Sequence, residues 1–383
     1  MDAFIQDTPF FTNEQRTLAA RVETFVQGEI ESHAVEERDE ETQFRLMLSL
    51  IAEAGLLRYA VLEPDKRMDL RSLCLIRESL SYSSALADLA FVMQGLGTYA
   101  MSLAAADHVR DFWLSRIISG NAIAAFALTE PDAGSDVSAI QTTAQREGGS
   151  YVLNGRKRFI SNAGLADFYT VFARTGTHKD GRPEISAFIV GARMPGFSVR
   201  ERTQMLSPHP IGELEFIDCH VPVENMIGQA GDGFRLAMQT LDTFRASVGA
   251  AACGMAGRAL DEALTFAKAR KQFGKPLSEH QLIQEKLAMM ATELDAARLL
   301  VYRAAYLKDA GVTRITREAS EAKLFATESA QRIIDEAMQI HGGSGLIKGS
   351  IIERLYRDIR ALRIYEGTSE IQKLIIAGQL LQQ

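Results

Sequence analysis

Cysteine is scarce in this 383-residue chain: Cys74, Cys219 and Cys253 stand far apart. Their spacing fits neither a zinc site nor a disulfide framework, and suits a reducing, cytoplasmic location. Long apolar runs are missing too. None approaches the ~18 residues that span a bilayer, so no membrane span is expected. An excess of basic residues is absent: 42 Lys and Arg against 49 Asp and Glu give a net charge of −7. A nucleic-acid binder usually carries the opposite field, so no nucleic-acid partner is expected. The opening residues, MDAFIQDTPFF, contain an acid and no basic cluster, and a secretory leader is not expected. No GxGxxG follows a strand, which excludes a dinucleotide fingerprint of the Rossmann kind. No second His or Cys lies at ligand spacing from His341, so no metal site is expected and His341 reads as a packed or interface residue. Internal repeats and low-complexity segments are also lacking.

Proline is nearly absent from the C-terminal part. Six of the nine prolines fall between Pro131 and Pro222, and only Pro276 follows them. Such a stretch can hold long helices. Ile283, Leu287, Met290, Leu294 and Ala297 advance by three and four, the period of a helix face. Helices are expected near 231–271, 278–310, 315–341, 349–359 and 369–381. The first 120 residues also read as helical. TNEQ (12–15) is a capping-box pattern, and Gly55 and Gly120 look like helix stops. The middle differs. AIAAFAL (122–128), DFYTVFART and EISAFIV look like strands, and Asn154-Gly155 reads as a hairpin turn. The expected fold is α+β and mainly α, with a helical domain over 1–121, a small β-barrel or sandwich domain over 122–230, and a helical bundle over 231–383.

Five segments carry residues suited to chemistry. FALTEPDAGSD (126–136) feeds a strand into a loop rich in hydroxyls and backbone N–H groups; composition alone also explains it as a turn. GRKRFISNAG (155–164) places Phe159 two residues before Ser161, an aromatic that could stack on a flat ring beside a hydroxyl donor, or a core Phe with a polar neighbour. RKQFGKPL (270–277) ends a long helix. Gly274 suits a left-handed cap, and Arg270 either clamps a diphosphate or complements the helix dipole. QIHGGSG (339–345) closes another helix with two glycines where a stop needs one. RIYEGTSEIQ (363–372) puts Glu366 before a glycine and a capping threonine, as a solvated loop charge or a catalytic base.

Taken together and in this order, the blocks LTEPDAGSD, ISNAG, RKQFGKPL, QIHGGSG and RLYRDIRALRIYEGTSEIQ resemble the acyl-CoA dehydrogenase family along almost the whole chain. The resemblance implies an N-terminal helical domain, a central β domain and a C-terminal four-helix bundle, assembled as a homo-tetramer around FAD. It implies flavin contacts from Phe126, Leu128, Thr129, Gly134, Ser135, Phe159 and Ser161. Arg270, Gln272 and Phe273, with Gln339, Gly342 and Gly343, match positions that reach a neighbouring subunit's FAD. Thr368 and Glu370 match positions flanking the flavin. Ser135, Asp242, Phe244, Arg245, Tyr365 and Gly367 match positions on the acyl-CoA side, and Glu366 matches the catalytic base in its commonest location.

The implied activity is α,β-dehydrogenation of an acyl-CoA thioester to the trans-2-enoyl-CoA. Glu366 takes the α proton, the β hydride goes to flavin N5, and an electron-transfer flavoprotein accepts the electrons. A thioester α-C–H is a weak acid, so its base must be close, dry and raised in pKa by burial. The alternative base position, on the helix before the conserved arginine, reads DTFR here and has no carboxylate beside Arg245. Phe159 stands where many relatives carry Trp, and Leu346 where an aromatic is common. Leu86, Phe91, Met93, Tyr99 and Phe244 fall where the family lines its acyl pocket, and the bulk of Phe91, Tyr99 and Phe244 points to a short, branched or cyclic chain; all five are also ordinary core residues. Two rival functions share the motif set: an acyl-CoA oxidase using O2, and a non-catalytic FAD-binding member acting as a scaffold.

Overall fold

A computed structural model describes residues 3–34 and 39–382. Six helices come first: α1 (Ala3–Asp7), α2 (Asn13–Phe25), α3 (Glu40–Glu53), α4 (Leu70–Ser83), α5 (Ala85–Ala104) and α6 (Asp107–Ile118). Strands follow: β1 (Ala124–Ala127), β2 (Thr143–Glu147), β3 (Ser150–Ser161), β4 (Phe168–Thr177), β5 (Pro183–Gly191), β6 (Phe197–Arg202), β7 (Ile211–Pro222) and β8 (Met226–Ile227). The remainder is helical apart from a two-stranded hairpin: α7 (Gly233–Ala269), β9 (Lys271–Gln272), β10 (Lys275–Pro276), α8 (Gln281–Asp309), α9 (Thr316–His341), α10 (Ile351–Leu362) and α11 (Ser369–Leu381). The fold is therefore helical, then β, then helical, as the proline distribution and apolar periods require.

Contacts divide the chain into two compact units. One comprises the described residues within Arg38–Met68 and Leu89–Thr243. Its sheet runs β6-β7-β3-β2-β4-β5-β8. Both β1 and β2 pair in parallel with β4, while β5 pairs antiparallel with it. Phe168, Phe172, Ile185 and Ile189 pack with Ala100, Leu114 and Ile117 in one buried cluster. Gly97 shows how closely the helix meets the sheet: a Cβ there would lie 2.6 Å from the Ala124 Cβ.

The second unit comprises the described residues within Met1–Glu37, Asp69–Asp88 and Phe244–Gln383. Thr12 caps α2 in a full capping box with Gln15, which satisfies two helix-end donors reciprocally. Helix α9 packs against α8, α10 and α11. Buried Ala319, Ala322, Ala326, Ala330 and Ile333 give it an apolar stripe at helical spacing. Cys74 and Cys253 are buried in this unit and Cys219 in the other, all as free thiols.

Two local expectations are corrected. Asn154-Gly155 is not a turn; β3 runs straight through it. The turn is Gly148-Gly149, between Glu147 and its partner Ser150. At Asn154-Gly155 the register against β7 shifts, which marks a bulge. The Asn154 side chain exchanges two hydrogen bonds with Asp218, and a Cβ on Gly155 would come within 2.6 Å of Thr142. Gly274 likewise is not the cap of α7, which ends five residues earlier. It forms the tip of the β9–β10 hairpin, where Phe273 (φ +51°) and Gly274 (φ +80°) are both left-handed, as a tight hairpin turn demands.

Candidate active site

The sequence motifs lie in both units. In the sheet-bearing unit, β1 carries half-buried Phe126 and leads through buried Leu128 to half-buried Thr129 and the exposed loop residues Gly134 and Ser135. One ion pair organises this loop. Lys157, fully buried on β3, donates to a Glu130 carboxylate oxygen at 2.7 Å and to the Leu128 carbonyl at 3.0 Å. The other Glu130 contacts reach backbone N–H groups of Gln141 and Thr142. A single buried carboxylate thus joins the 128–130 loop, the start of β2 and the middle of β3. Burial pushes the Lys157 ammonium down to about 8, with Glu130 acting the other way. Burial raises the Glu130 carboxyl too, but Lys157 outweighs it and holds it below the usual range.

Two residues further along β3, Phe159 is left-handed (φ +54°) and 49% exposed, so it is not the core Phe of the bland alternative. Its neighbour Arg158 stacks on its ring. Half-buried Ser161 meets His209, with Oγ and Nε2 2.7 Å apart. His209 was not singled out in the sequence; its only signal is a histidine between two prolines in a loop. Its backbone N–H donates to Glu40 at 2.8 Å. Burial lowers its ring pKa from 6.5 to about 4. The unfolded chain therefore binds more protons between those values, and stability falls as pH drops from about 6.5 toward about 4. His209→Gln should flatten this acid limb in a plot of melting temperature against pH; an unchanged limb would show that the ring stays hydrated.

In the helical unit, Arg270, Gln272 and Phe273 are exposed, Phe273 at 95%. Gln339, Gly342 and Gly343 are exposed as well, and a Cβ on either glycine would meet nothing within 4 Å. The backbone itself asks for glycine at Gly342, where φ is +56° and ψ −137°, but nothing within the chain does so at Gly343. His341 is packed: its ring stacks on Phe266 with centroids 4.4 Å apart, and Nδ1 meets the Ala337 carbonyl. Phe244 and Arg245 are buried on α7, and Leu86 is buried on α5. In the sheet-bearing unit, Phe91, Met93 and Tyr99 are buried and Asp242 is half-buried.

The segment between α10 and α11 is built with more constraint than a solvated loop. Glu366 (φ +52°) and Gly367 (φ +89°) are consecutive left-handed residues. A left-handed non-glycine costs about 1–3 kcal/mol and needs support. The support is visible. Thr368 caps α11 by accepting from the Ile371 N–H. Gln372, fully buried, donates to the Glu366 carbonyl at 3.2 Å and the Gly367 carbonyl at 2.9 Å. Lys323, fully buried on α9, donates to the same Gly367 carbonyl at 2.7 Å. Arg363 pairs with Glu328 at 2.7 Å, and Ser369 donates to Glu328 at 2.5 Å. Glu370 is exposed in the first turn of α11.

The Glu366 side chain points into cover. Its Oε2 is buried and has no hydrogen-bond partner among the described residues. Burial raises its pKa, while Arg77, Lys323 and Arg245 act in the opposite direction. Arg77 is fully buried and grips Asp88 with both arms, at 2.8 and 2.7 Å, while donating to Ser247 at 2.8 Å. Burial works against its charge, but Asp88 keeps it protonated. Burial raises half-buried Tyr365 well above the ordinary phenol range. This arrangement answers the question Glu366 raised: one carboxylate oxygen is held dry with an unspent lone pair, on a strained and clamped backbone. Among the described residues no group of His, Cys, Asp and Glu could hold a metal ion, and no helix is long and apolar enough to cross a membrane.

Comparison with known proteins gives this arrangement its context. The acyl-CoA dehydrogenase N-terminal domain matches residues 12–121, the middle domain 125–219 and the C-terminal domain 231–381. A 3-(aryl)acrylate reductase of Clostridium sporogenes is 41% identical over 382 residues, covering 97% of this chain and 100% of its own. A caffeyl-CoA reductase-Etf complex subunit of Acetobacterium woodii is 46% identical over 272 residues, 70% of this chain and 71% of its own. The crystal structure of an acyl-CoA dehydrogenase complexed with FAD from Bacillus anthracis superposes with a TM-score of 0.88 at 33% identity, over 98% of this chain and 68% of that one. With three domain matches in sequence order and a relative matched end to end, the chain belongs to the acyl-CoA dehydrogenase family, a family of oxidoreductases.

Proposed function

We propose that this protein binds FAD and moves hydrogen between the α and β carbons of an acyl-CoA thioester, with Glu366 as the base at Cα. The observation that carries the reading is the covered, unpartnered Glu366 Oε2 on a clamped left-handed backbone. The residues present suit the cofactor. Exposed Phe159 offers an aromatic face, the loop from Thr129 to Ser135 offers hydroxyls and open backbone at Gly134, and Gly342 and Gly343 leave room for close approach. Phe126, Leu128, Thr129, Ser161, Thr368 and Glu370 would complete the flavin contacts, and Arg270, Gln272, Phe273, Gln339, Gly342 and Gly343 would reach a neighbouring subunit's FAD.

Bound FAD supplies an N5 that can take up a hydride. The chain's own work is at the other carbon. Glu366 removes the α proton and holds it away from water, while Tyr365, Gly367, Asp242, Phe244, Arg245 and Ser135 orient the thioester. The Glu366 backbone N–H would serve as the preset donor that stabilises charge on the thioester oxygen. An electron-transfer flavoprotein as acceptor, a homo-tetramer as the working state and the sequential division at 121 and 230 complete the reading.

A second direction has support of its own: both sequence relatives described above are named for reductases. Protonated Glu366 would then deliver the α proton to a 2-enoyl thioester. Anaerobic mixing of the FAD-loaded protein with a panel of saturated acyl-CoAs tests the proposal. Bleaching of the oxidised flavin by a subset is expected. Complete silence toward the saturated panel, with reoxidation of dithionite-reduced protein by 2-enoyl-CoAs, would assign the reductive direction. Silence in both directions would leave the scaffold reading. Rapid reoxidation by air within a turnover would favour the oxidase.

A further inference from the structure

Lys323 is the most unusual side chain in the helical unit. It lies on the apolar stripe of α9, between Ala319, Ala322 and Ala326, and is fully buried. Burying an ammonium without a partner is costly, so such a lysine needs a reason. Its hydrogen-bond partner among the described residues is not a carboxylate. It donates to the backbone carbonyl of Gly367 at 2.7 Å.

That carbonyl is shared with Gln372, which also donates to the Glu366 carbonyl. Two buried donors, from α9 and α11, thus converge on the peptide units that turn Glu366 into its left-handed conformation. Glycine is favoured beside it by the left-handed φ of +89° at residue 367, and a Cβ there would also press on the Gln372 amide nitrogen at 2.6 Å. A lysine contributes here what a neutral donor does not. The groups acting on Lys323 are Glu366 ahead of α11, Glu370 in its first turn, Arg245 from α7 and Glu328 from its own helix. Those acting on Glu366 are Lys323, Arg77 from α4, Arg245 and Asp88 from α5. Lys323 is therefore both a mechanical clamp on the backbone of Glu366 and a positive charge on its carboxylate.

We infer that Lys323 is a positioning residue for Glu366, fixing the left-handed 366–367 backbone through the Gly367 carbonyl and holding a buried cation beside the segment that carries the base. The inference rests on the proposed role of Glu366 and deepens it. Burial brings the ammonium down to about 8, with Glu366 opposing, so it remains a cation at neutral pH.

Lys323→Met and Lys323→Arg test this, with Glu366→Gln carried alongside. The rate of anaerobic flavin reduction by a saturated acyl-CoA, the direction in which Glu366 acts as a base, is followed from pH 5 to 9. Amide exchange over residues 364–372 is read by mass spectrometry on the same proteins. In Lys323→Met the acid limb of the rate profile should move up by about one pH unit, since one neighbouring cation is lost. The maximal rate should fall about tenfold or more with KM little changed, as a displaced catalytic group does. Exchange over 364–372 should accelerate, while exchange over α8 stays as in the parent. Lys323→Arg should restore the acid limb by restoring the charge. A parent-like limb and parent-like exchange in Lys323→Met would overturn the inference. Full activity in Glu366→Gln would instead overturn the base assignment, whatever Lys323 does, so the two failures are distinguishable. General unfolding of Lys323→Met would appear as faster exchange across α8 as well; in that case Lys323→Gln, which keeps a donor and loses the charge, decides by its limb alone.

Discussion

Glu366→Gln should retain FAD and bind a product analogue, yet lose about two to four decades in the rate of substrate-dependent flavin reduction. The size follows from what the side chain does. A thioester α-C–H gives up its proton only to a base that is dry and already in place. Glu366 Oε2 is covered and has no hydrogen bond to break before it accepts a proton. Glutamine fills the same space and leaves the Thr368 cap, the Gln372 bonds and the Lys323 clamp untouched, since all three act on backbone atoms or on α11. Stopped-flow spectroscopy of the anaerobic flavin separates the step from turnover. A variant that bleaches its flavin at the parent's rate would move the base elsewhere. The sequence offers no obvious substitute, because no carboxylate adjoins Arg245.

Lys157→Met should cost about 3–5 kcal/mol of stability, the usual result of stranding one charge of a buried pair. Glu130 would keep its two backbone donors at Gln141 and Thr142 but lose the cation it pairs with. The loss should not stay local. The 2.7 Å pair also fixes the Leu128 carbonyl, so both loops assigned to the flavin should loosen and FAD should dissociate more readily. Chemical denaturation of the FAD-free protein measures the stability term without the cofactor, and flavin fluorescence measures release separately. Adding Glu130→Gln, which removes the stranded charge and keeps an acceptor for the backbone donors, should recover part of the loss. If the single variant unfolds at the parent's denaturant concentration, the pair contributes no net stability and the loops are held by their backbone bonds.

Much of this was legible from residues alone where local rules decide the outcome. The α11 boundary at Thr368 follows from its capping chemistry, and α2 follows from TNEQ. The strand–helix contrast followed from proline and apolar period. Local rules misled where a distant residue takes over. Asn154-Gly155 has a strong turn preference, but Thr142 and Asp218 hold it inside a strand, and the turn passes to the less distinctive Gly148-Gly149. Gly274 looked like a helix stop because a glycine followed by a proline fits one; the left-handed Phe273 beside it is what makes a hairpin instead. The clamps on Glu366 were missed for a related reason. Lys323 and Gln372 act across elements, and charge or polarity on a helix normally means solvent. The available signal was position: Lys323 falls on the alanine stripe of α9, and Arg77 falls among Leu73, Ile76 and Leu80 of α4. A cation in an apolar stripe is worth following to the group it serves.

The three cysteines, whose scarcity first suggested a reducing environment, also provide a built-in clock. Burial raises the thiol pKa of all three, so each is slow toward alkylating reagents while its surroundings stay closed. Cys219 stands in the sheet-bearing unit, Cys74 and Cys253 in the helical one. Pulsed labelling followed by peptide mapping would therefore time the opening of each half of the molecule on its own, with no engineered probe.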